Sequence, residues 1–415
     1  MAPEQPTDEP NGGHEGMEIM NRKFSTVLDL ARWLAAFLVV VSHVRHLILV
    51  DLKQVIHPSL GVKALYFFTG FGHEAVVIFF VLSGYLVGGI TLERWRLHGP
   101  DFSHYFASRI SRIYTVLLPA LVVGLVIDWL GLHFVNLSEL YTNAGKYHTI
   151  SLHDFVDSSI SIPTFFGNLF MLQGVISPTL GTNGPLWSLS WEWWYYCLFA
   201  LILGAYLTTS NQSRVLLWLG AAVVTICLPF KIILWSSIWL MGIVVHRWIG
   251  IAKFRPNSIA AGILFVAAIV ISRLTHNVEN TEHHESLLAE YLRDVLVAIP
   301  FALLLVSFSK AAPMIPFASI HKKLADSSYS TYLFHFPVMV ILVSVGFQFG
   351  GISFCNQPNL SSVAYFVCVT IFIYLACMLF SLATEQHTGK TRKWLEQLRA
   401  FQPGKGEEQE GRSKS

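Results

Sequence analysis

The chain has 415 residues, 53% of them hydrophobic and only 13% charged, with a formal net charge of +2. Apolar runs near twenty residues recur along it, which excludes an ordinary soluble core and marks an all-α polytopic membrane protein. So small a net charge selects no partner, and no Walker, Rossmann or nucleic-acid motif stands out, so none of those partners is expected. Residues 1–23 are polar and contain Gly, Pro and Glu; they are predicted to be a disordered cytoplasmic tail, not a signal peptide. About ten transmembrane helices follow, over roughly 24–50, 64–90, 105–131, 185–208, 214–230, 232–250, 257–273, 292–309, 327–348 and 361–384. The outer loop 132–184 holds one short apolar stretch, Ile162–Leu172, predicted to be re-entrant or interfacial, and residues 385–415 form a basic, polar cytoplasmic tail. Most Lys and Arg, including Arg94, Arg96, Arg109, Arg112, Arg247, Arg255, Lys322 and Lys323, fall on one side of this layout. Both termini are therefore expected in the cytoplasm.

Ionisable side chains at membrane depth are costly, roughly 2.5–3.5 kcal/mol each at a helix centre, and so point to function. The first span carries Asp29, Arg32, His43, Arg45 and His46. Arg32 and His43 are eleven positions apart (43 − 32), three turns plus roughly 20°, so they share a face about 16 Å apart along the axis. Ala35, Ala36 and Val39 between them leave room for something slender, and Asp29 is placed to pair with Arg32. Arg109 and Arg112 share a face at the start of the third span, as a phosphate clamp or as ordinary positive-inside anchors. Ser188, Glu192, Tyr195 and Tyr196 share a face in the segment Trp187–Tyr196; an aromatic belt explains the Trp and Tyr but not the glutamate. His335 lies in a span interrupted by Pro337, whose freed carbonyls could line a cavity. Ser83-Gly84 reads as close helix packing, and the loop residues Glu282-His283-His284-Glu285 as a solvated turn. Five cysteines without C-x-x-C spacing read as buried thiols, and no metal site is expected.

Five segments together resemble acyltransferase family three, the polytopic bacterial enzymes that O-acylate surface and secreted glycans. They are Leu28-Asp29 with Arg32 through Ala35-Ala36 to His43, Phe79–Tyr85, Arg109–Tyr114, Trp187–Glu192 and Tyr329–Pro337, in the family's order. The resemblance implies a membrane acyltransferase domain over 24–384, an acyl-CoA donor (acetyl-CoA first) and a glycan or glycolipid acceptor on the periplasmic side. It implies His43 as the essential histidine, acting as general base or transient acyl carrier, with Glu192 orienting it. Arg109 and Arg112, with Arg32 on the path, would bind the donor, and His335, Trp187, Ser188 and Tyr195 would line the site. The chain departs from the family at Val77, where an aspartate is common, and at Thr115, where a proline is usual. A transporter or flippase of a polar or acylated glycan would also use buried Arg, His and Glu, as a non-catalytic receptor or scaffold would for stability alone.

Overall fold

A bilayer offers the backbone no hydrogen-bond partners, so a spanning segment must satisfy its own, and each of the ten expected spans is helical. The computed structural model describes residues 12–147, 152, 156–251, 254–279 and 286–400. In chain order the helices are α1 Gly12–Ile48, α2 Leu60–Phe68, α3 Gly72–Ser83, a π turn Gly84–Gly89, α4 Ile90–His98 and α5 Phe102–Phe134. They continue as α6 Ile162–Leu169, α7 Leu186–Leu207, α8 Asn211–Cys227, α9 Phe230–Ile251 and α10 Ser258–Glu279. The last are α11 Leu287–Ala311, α12 Ala318–Ala325, α13 Ser328–Gly350, α14 Leu360–Ala383 and α15 Thr388–Ala400. The only β pairing among the described residues is two isolated bridges, Leu49 with Asn356 and Gln173 with Ser177. By length and composition, eight helical runs can cross a membrane among the described residues. The remaining two expected spans are occupied by α7, whose 22 residues include Ser and Glu, and by α8, which has only 17. The disordered tail expected over 1–23 lies outside the described residues as far as residue 11; from Gly12 the chain is already helical. Likewise α15 occupies part of the tail expected over 385–415.

The chain divides into two compact units, the first made of residues 1–43, 56–93 and 222–328, the second of 44–55, 94–221 and 329–415. In the first unit α3 and the π turn pack on α9, and α11 packs on α3, α9 and α10. Ser83-Gly84 is the packing device the sequence indicates. Trp239 Nε1 donates to Ser83 Oγ at 3.0 Å, and a Cβ at Gly84 would overlap the Trp239 carbonyl. Only glycine lets the two backbones come this close, at a π turn of the kind often found at functional places.

In the second unit, α15 lies along α5 and the loop between α5 and α7 is folded down by buried polar side chains. Asp128 of α5 accepts from the Thr182 amide and hydroxyl, both at 2.8 Å. Asn168 donates to the Thr164 and Pro178 carbonyls and accepts from the Leu180 amide, and Ser190 and Trp194 both donate to the Met171 carbonyl. Within this loop α6 begins at the N-cap Ser161, with Pro163 in its first turn. Its 8 residues reach about 12 Å, too short to span, as the sequence predicts. The segment after α13 closes the end of α1: Asn356 and Cys355 amides donate to the Ile48 and Leu47 carbonyls, which a helix end leaves without partners.

Candidate active site

In the first unit, Arg32 and His43 are both half-buried on α1. Arg32 Nη2 donates to the Ala325 carbonyl at the end of α12 at 3.2 Å, and Asp29 stands 3.9 Å away as its ion-pair partner. Beside it, Trp33 Nε1 donates to His321 Nδ1 at 2.9 Å, so α12 is fastened to this part of α1. Ala35, Ala36 and Val39 are buried. The small-residue face between Arg32 and His43 is thus packed against protein and is not the open groove its composition suggests.

In the second unit, the two arginines of α5 have different surroundings. Arg112 Nη2 lies 2.7 Å from Glu385 Oε1, and its guanidinium stands over the Tyr329 ring. The other Glu385 oxygen accepts the Ser330 amide at 2.9 Å, one of the unpartnered amides in the first turn of α13. Arg109 instead meets the Ser108 hydroxyl at 2.8 Å and the Tyr196 ring at 5.9 Å, and among the described residues it has no carboxylate partner. The two arginines therefore differ: Arg112 is paired with a carboxylate, and Arg109 has none among the described residues. Motif reading missed Glu385 because nothing in the sequence ties it to Arg112. A lone carboxylate just past the last apolar span was the available signal.

Glu192 is half-buried on α7 and accepts the Tyr196 hydroxyl at 2.7 Å, as expected for residues four apart on one face. Ser188 is buried, its hydroxyl 2.5 Å from that of Tyr332, which donates to the Pro185 carbonyl. Tyr195 is buried on the same helix, and Trp187 packs edge-on against Trp191 at 4.6 Å. His335 is buried, with Nδ1 2.8 Å from the Tyr332 carbonyl; a carbonyl only accepts, so that nitrogen carries the proton. The Leu333 carbonyl, four residues before Pro337, accepts Asn183 Nδ2 at 2.9 Å. The bond removed by proline is replaced by one from the loop, which occupies this carbonyl. His43 belongs to the first unit, while Glu192, Arg109, Arg112 and His335 belong to the second.

No group of three His, Cys, Asp or Glu suited to a metal occurs among the described residues, and the loop 282–285 lies outside them. Of the five free cysteines, Cys377 is buried, Cys197 and Cys355 half-buried, and Cys227 and Cys368 exposed, so burial does not describe them all. Burial and the Asp51 carboxylate push the loop thiol of Cys355 up to about 11, far from a thiolate nucleophile at neutral pH.

Among the described residues the chain is helical, with eight runs long and apolar enough to cross a membrane, which is the make-up of a polytopic membrane protein. A family model for an acyltransferase domain matches residues 26–382, and the chain belongs to that family, acyltransferase family three. An O-acetyl transferase of Shigella phage Sf6 is 24% identical over 349 residues, covering 77% of this chain and 86% of the phage protein. No solved structure matches the chain. The protein is a membrane acyltransferase.

Proposed function

We propose that the protein moves an acyl group, acetyl first, from acyl-CoA in the cytoplasm to a hydroxyl of a glycan or glycolipid on the periplasmic side of a bacterial inner membrane. The acyltransferase domain runs from 24 to 384, with both termini cytoplasmic. The observation that carries the donor half is Arg109, a half-buried guanidinium without a carboxylate partner among the described residues, beside an arginine that has one. A guanidinium binds phosphate through two parallel hydrogen bonds and stays charged, which suits the phosphates of coenzyme A. Arg109 takes the leading part of the clamp, Arg112 a supporting one, and Arg32 lies on the donor's path. Acetyl as the group follows the relative described as an O-acetyl transferase, and a glycan or glycolipid as the acceptor follows the family resemblance.

His43 supplies the base that removes the acceptor's hydroxyl proton, an effect typically worth about 10²–10⁴-fold, or it carries the acyl group between donor and acceptor. Glu192 is the second catalytic group, held as a hydrogen-bond acceptor by Tyr196. His335, Trp187, Ser188 and Tyr195 line the site. The test is the His43→Ala and Arg109→Ala variants in purified, folded protein. His43→Ala should abolish thiol release from acetyl-CoA and remove an acyl mass from the cell-surface glycans. Arg109→Ala should weaken coenzyme A binding in calorimetry at least tenfold. Undiminished transfer by His43→Ala sinks its assigned role, and unchanged coenzyme A affinity in Arg109→Ala sinks the phosphate contact.

A further inference from the structure

We propose that His73, held by Asp294, is a second catalytic imidazole of this protein, taking the hydroxyl proton of the acceptor while His43 handles the acyl group. The inference rests on the acyl-transfer reading above and adds a residue to it. Three helices of the first unit build the pair. His73, the second residue of α3, places Nε2 2.7 Å from Asp294 Oδ1 of α11, and Trp235 Nε1 of α9 donates to the other carboxylate oxygen at 2.7 Å. Asp294 is 3% exposed in its side chain, but His73 is 37% exposed. An intramembrane aspartate is also among the most expensive residues a helix can carry.

The chemistry follows from the donor and acceptor roles. An ionised carboxylate can only accept, so a proton sits on Nε2, and Nδ1 is the nitrogen left to exchange a proton with a substrate. With both Asp294 oxygens engaged, the ring is fixed in that tautomer and an imidazolium formed on it is stabilised, the arrangement used wherever a carboxylate orients a histidine base. The position suits acyl transfer as well. A Cβ at Gly72 would fall 2.8 Å from Ser42 Oγ, so α3 touches α1 there, and each histidine is one residue from that crossing. The Cα atoms of His43 and His73 are therefore no more than ~14 Å apart, given 3.8 Å between consecutive Cα atoms. In the steps proposed, a His43 ring nitrogen bonds to the acyl carbon as the carbon–sulfur bond of the thioester breaks, and the acceptor oxygen then bonds to that carbon as the carbon–nitrogen bond to His43 breaks. The hydroxyl proton goes to His73 Nδ1 and then, through solvent, to the departing thiolate. Beyond Asp294, the charges acting on His73 are Glu74 of α3 and Arg293 of α11. Glu74 is buried and accepts the Ser272 hydroxyl of α10, and Lys231 of α9 is paired with Glu290 of α11.

The test uses the full chain in nanodiscs, with acetyl-CoA and a surface-glycan extract from cells lacking the protein, following thiol release from pH 5.5 to 9. Activity is taken per folded molecule. His73→Gln and Asp294→Asn should lower kcat about 100-fold or more, with KM for acetyl-CoA within twofold, and should displace the acidic limb of the pH profile. Trp235→Phe removes one bond to Asp294 without changing charge and should move kcat and that limb in the same direction by less. Should His73→Gln yield no folded protein, Trp235→Phe decides on the same criteria. Wild-type kcat and an unmoved pH profile in the folded variants overturn the proposal alone. A wild type that releases no thiol overturns the acyl-CoA reading and this proposal with it.

Discussion

Glu385 and Arg112 are 273 positions apart (385 − 112), and their 2.7 Å contact decides what each arginine of α5 can do. The Glu385 side chain is 2% exposed and Arg112 is 32% exposed, so removing the arginine leaves a nearly buried carboxylate with only the Ser330 amide and whatever water reaches it. Breaking a buried pair costs about 3–5 kcal/mol; the partial exposure of Arg112 puts this case at the lower end. Arg112→Ala should therefore lower the unfolding midpoint in detergent by several degrees, while Arg109→Ala leaves it nearly unchanged. The double variant Arg112→Ala/Glu385→Gln should recover much of the loss, because no unpaired charge then remains. Additive losses in the double variant would show that the pair does not hold α5 to the start of α13. The same residues show how far sequence reaches. Arg32 and His43 stand out because each is an expensive residue in one apolar span. Glu385 and Asp294 are both deeply buried, but their meaning lies in partners far away in the chain, Arg112 and His73.

At the scale of elements, the sequence reads the helices well because a 3.6-residue period and an apolar run are local properties. Pro337 shows where local reading stops. It predicts a freed carbonyl, and that carbonyl exists, but its partner comes from the loop before α7, not from a cavity. Buried Asn183 supplies the amide that proline took away. Asn183→Ala should destabilise by about 1–3 kcal/mol, the range for stranding a buried acceptor. Pro337→Ala restores a backbone N–H four residues after Leu333, so in the Asn183→Ala background it should recover most of that loss. In the wild type the same change finds the carbonyl already occupied and should gain little. Thermal unfolding of the four proteins reads the coupling. If Pro337→Ala has one effect in both backgrounds, Asn183 and the proline are not linked through Leu333. The loop itself was legible only as a non-spanning stretch, because its fastening by Asp128, Asn168 and Asn183 depends on long-range contacts.

For the whole molecule, the question is whether α7 and α8 cross the membrane, and the apolar surface of α8 bears on it directly. Val215, Leu216, Trp218, Leu219, Val223 and Ile226 of α8 are all exposed. Such a surface is unfavourable in water at roughly 25 cal/mol per Å² and indifferent in lipid, so it belongs in the bilayer. The 17 residues of α8 reach about 26 Å, close to the ~30 Å hydrocarbon core, and modest thinning makes up the difference. α7 is 22 residues long and buries Ser188, Ser190, Tyr195 and Tyr196 with Glu192 half-buried, as expected of a helix that crosses with its costly face turned inward. Eight crossings and ten crossings both return the chain to the side where it started, so locating the termini cannot tell them apart. The short turn between the two helices can. Thr209 lies there and is exposed. With ten crossings it shares the side of α4 and α15; with eight it shares the side of the loop before α7. A Thr209→Cys variant in a cysteine-free background should therefore resist a membrane-impermeant maleimide added to intact spheroplasts and react once the membrane is opened. Labelling from outside would leave eight crossings and make α7 and α8 a hairpin on the outer side. It would also remove Glu192 from the membrane interior, and with it the argument that makes that glutamate expensive.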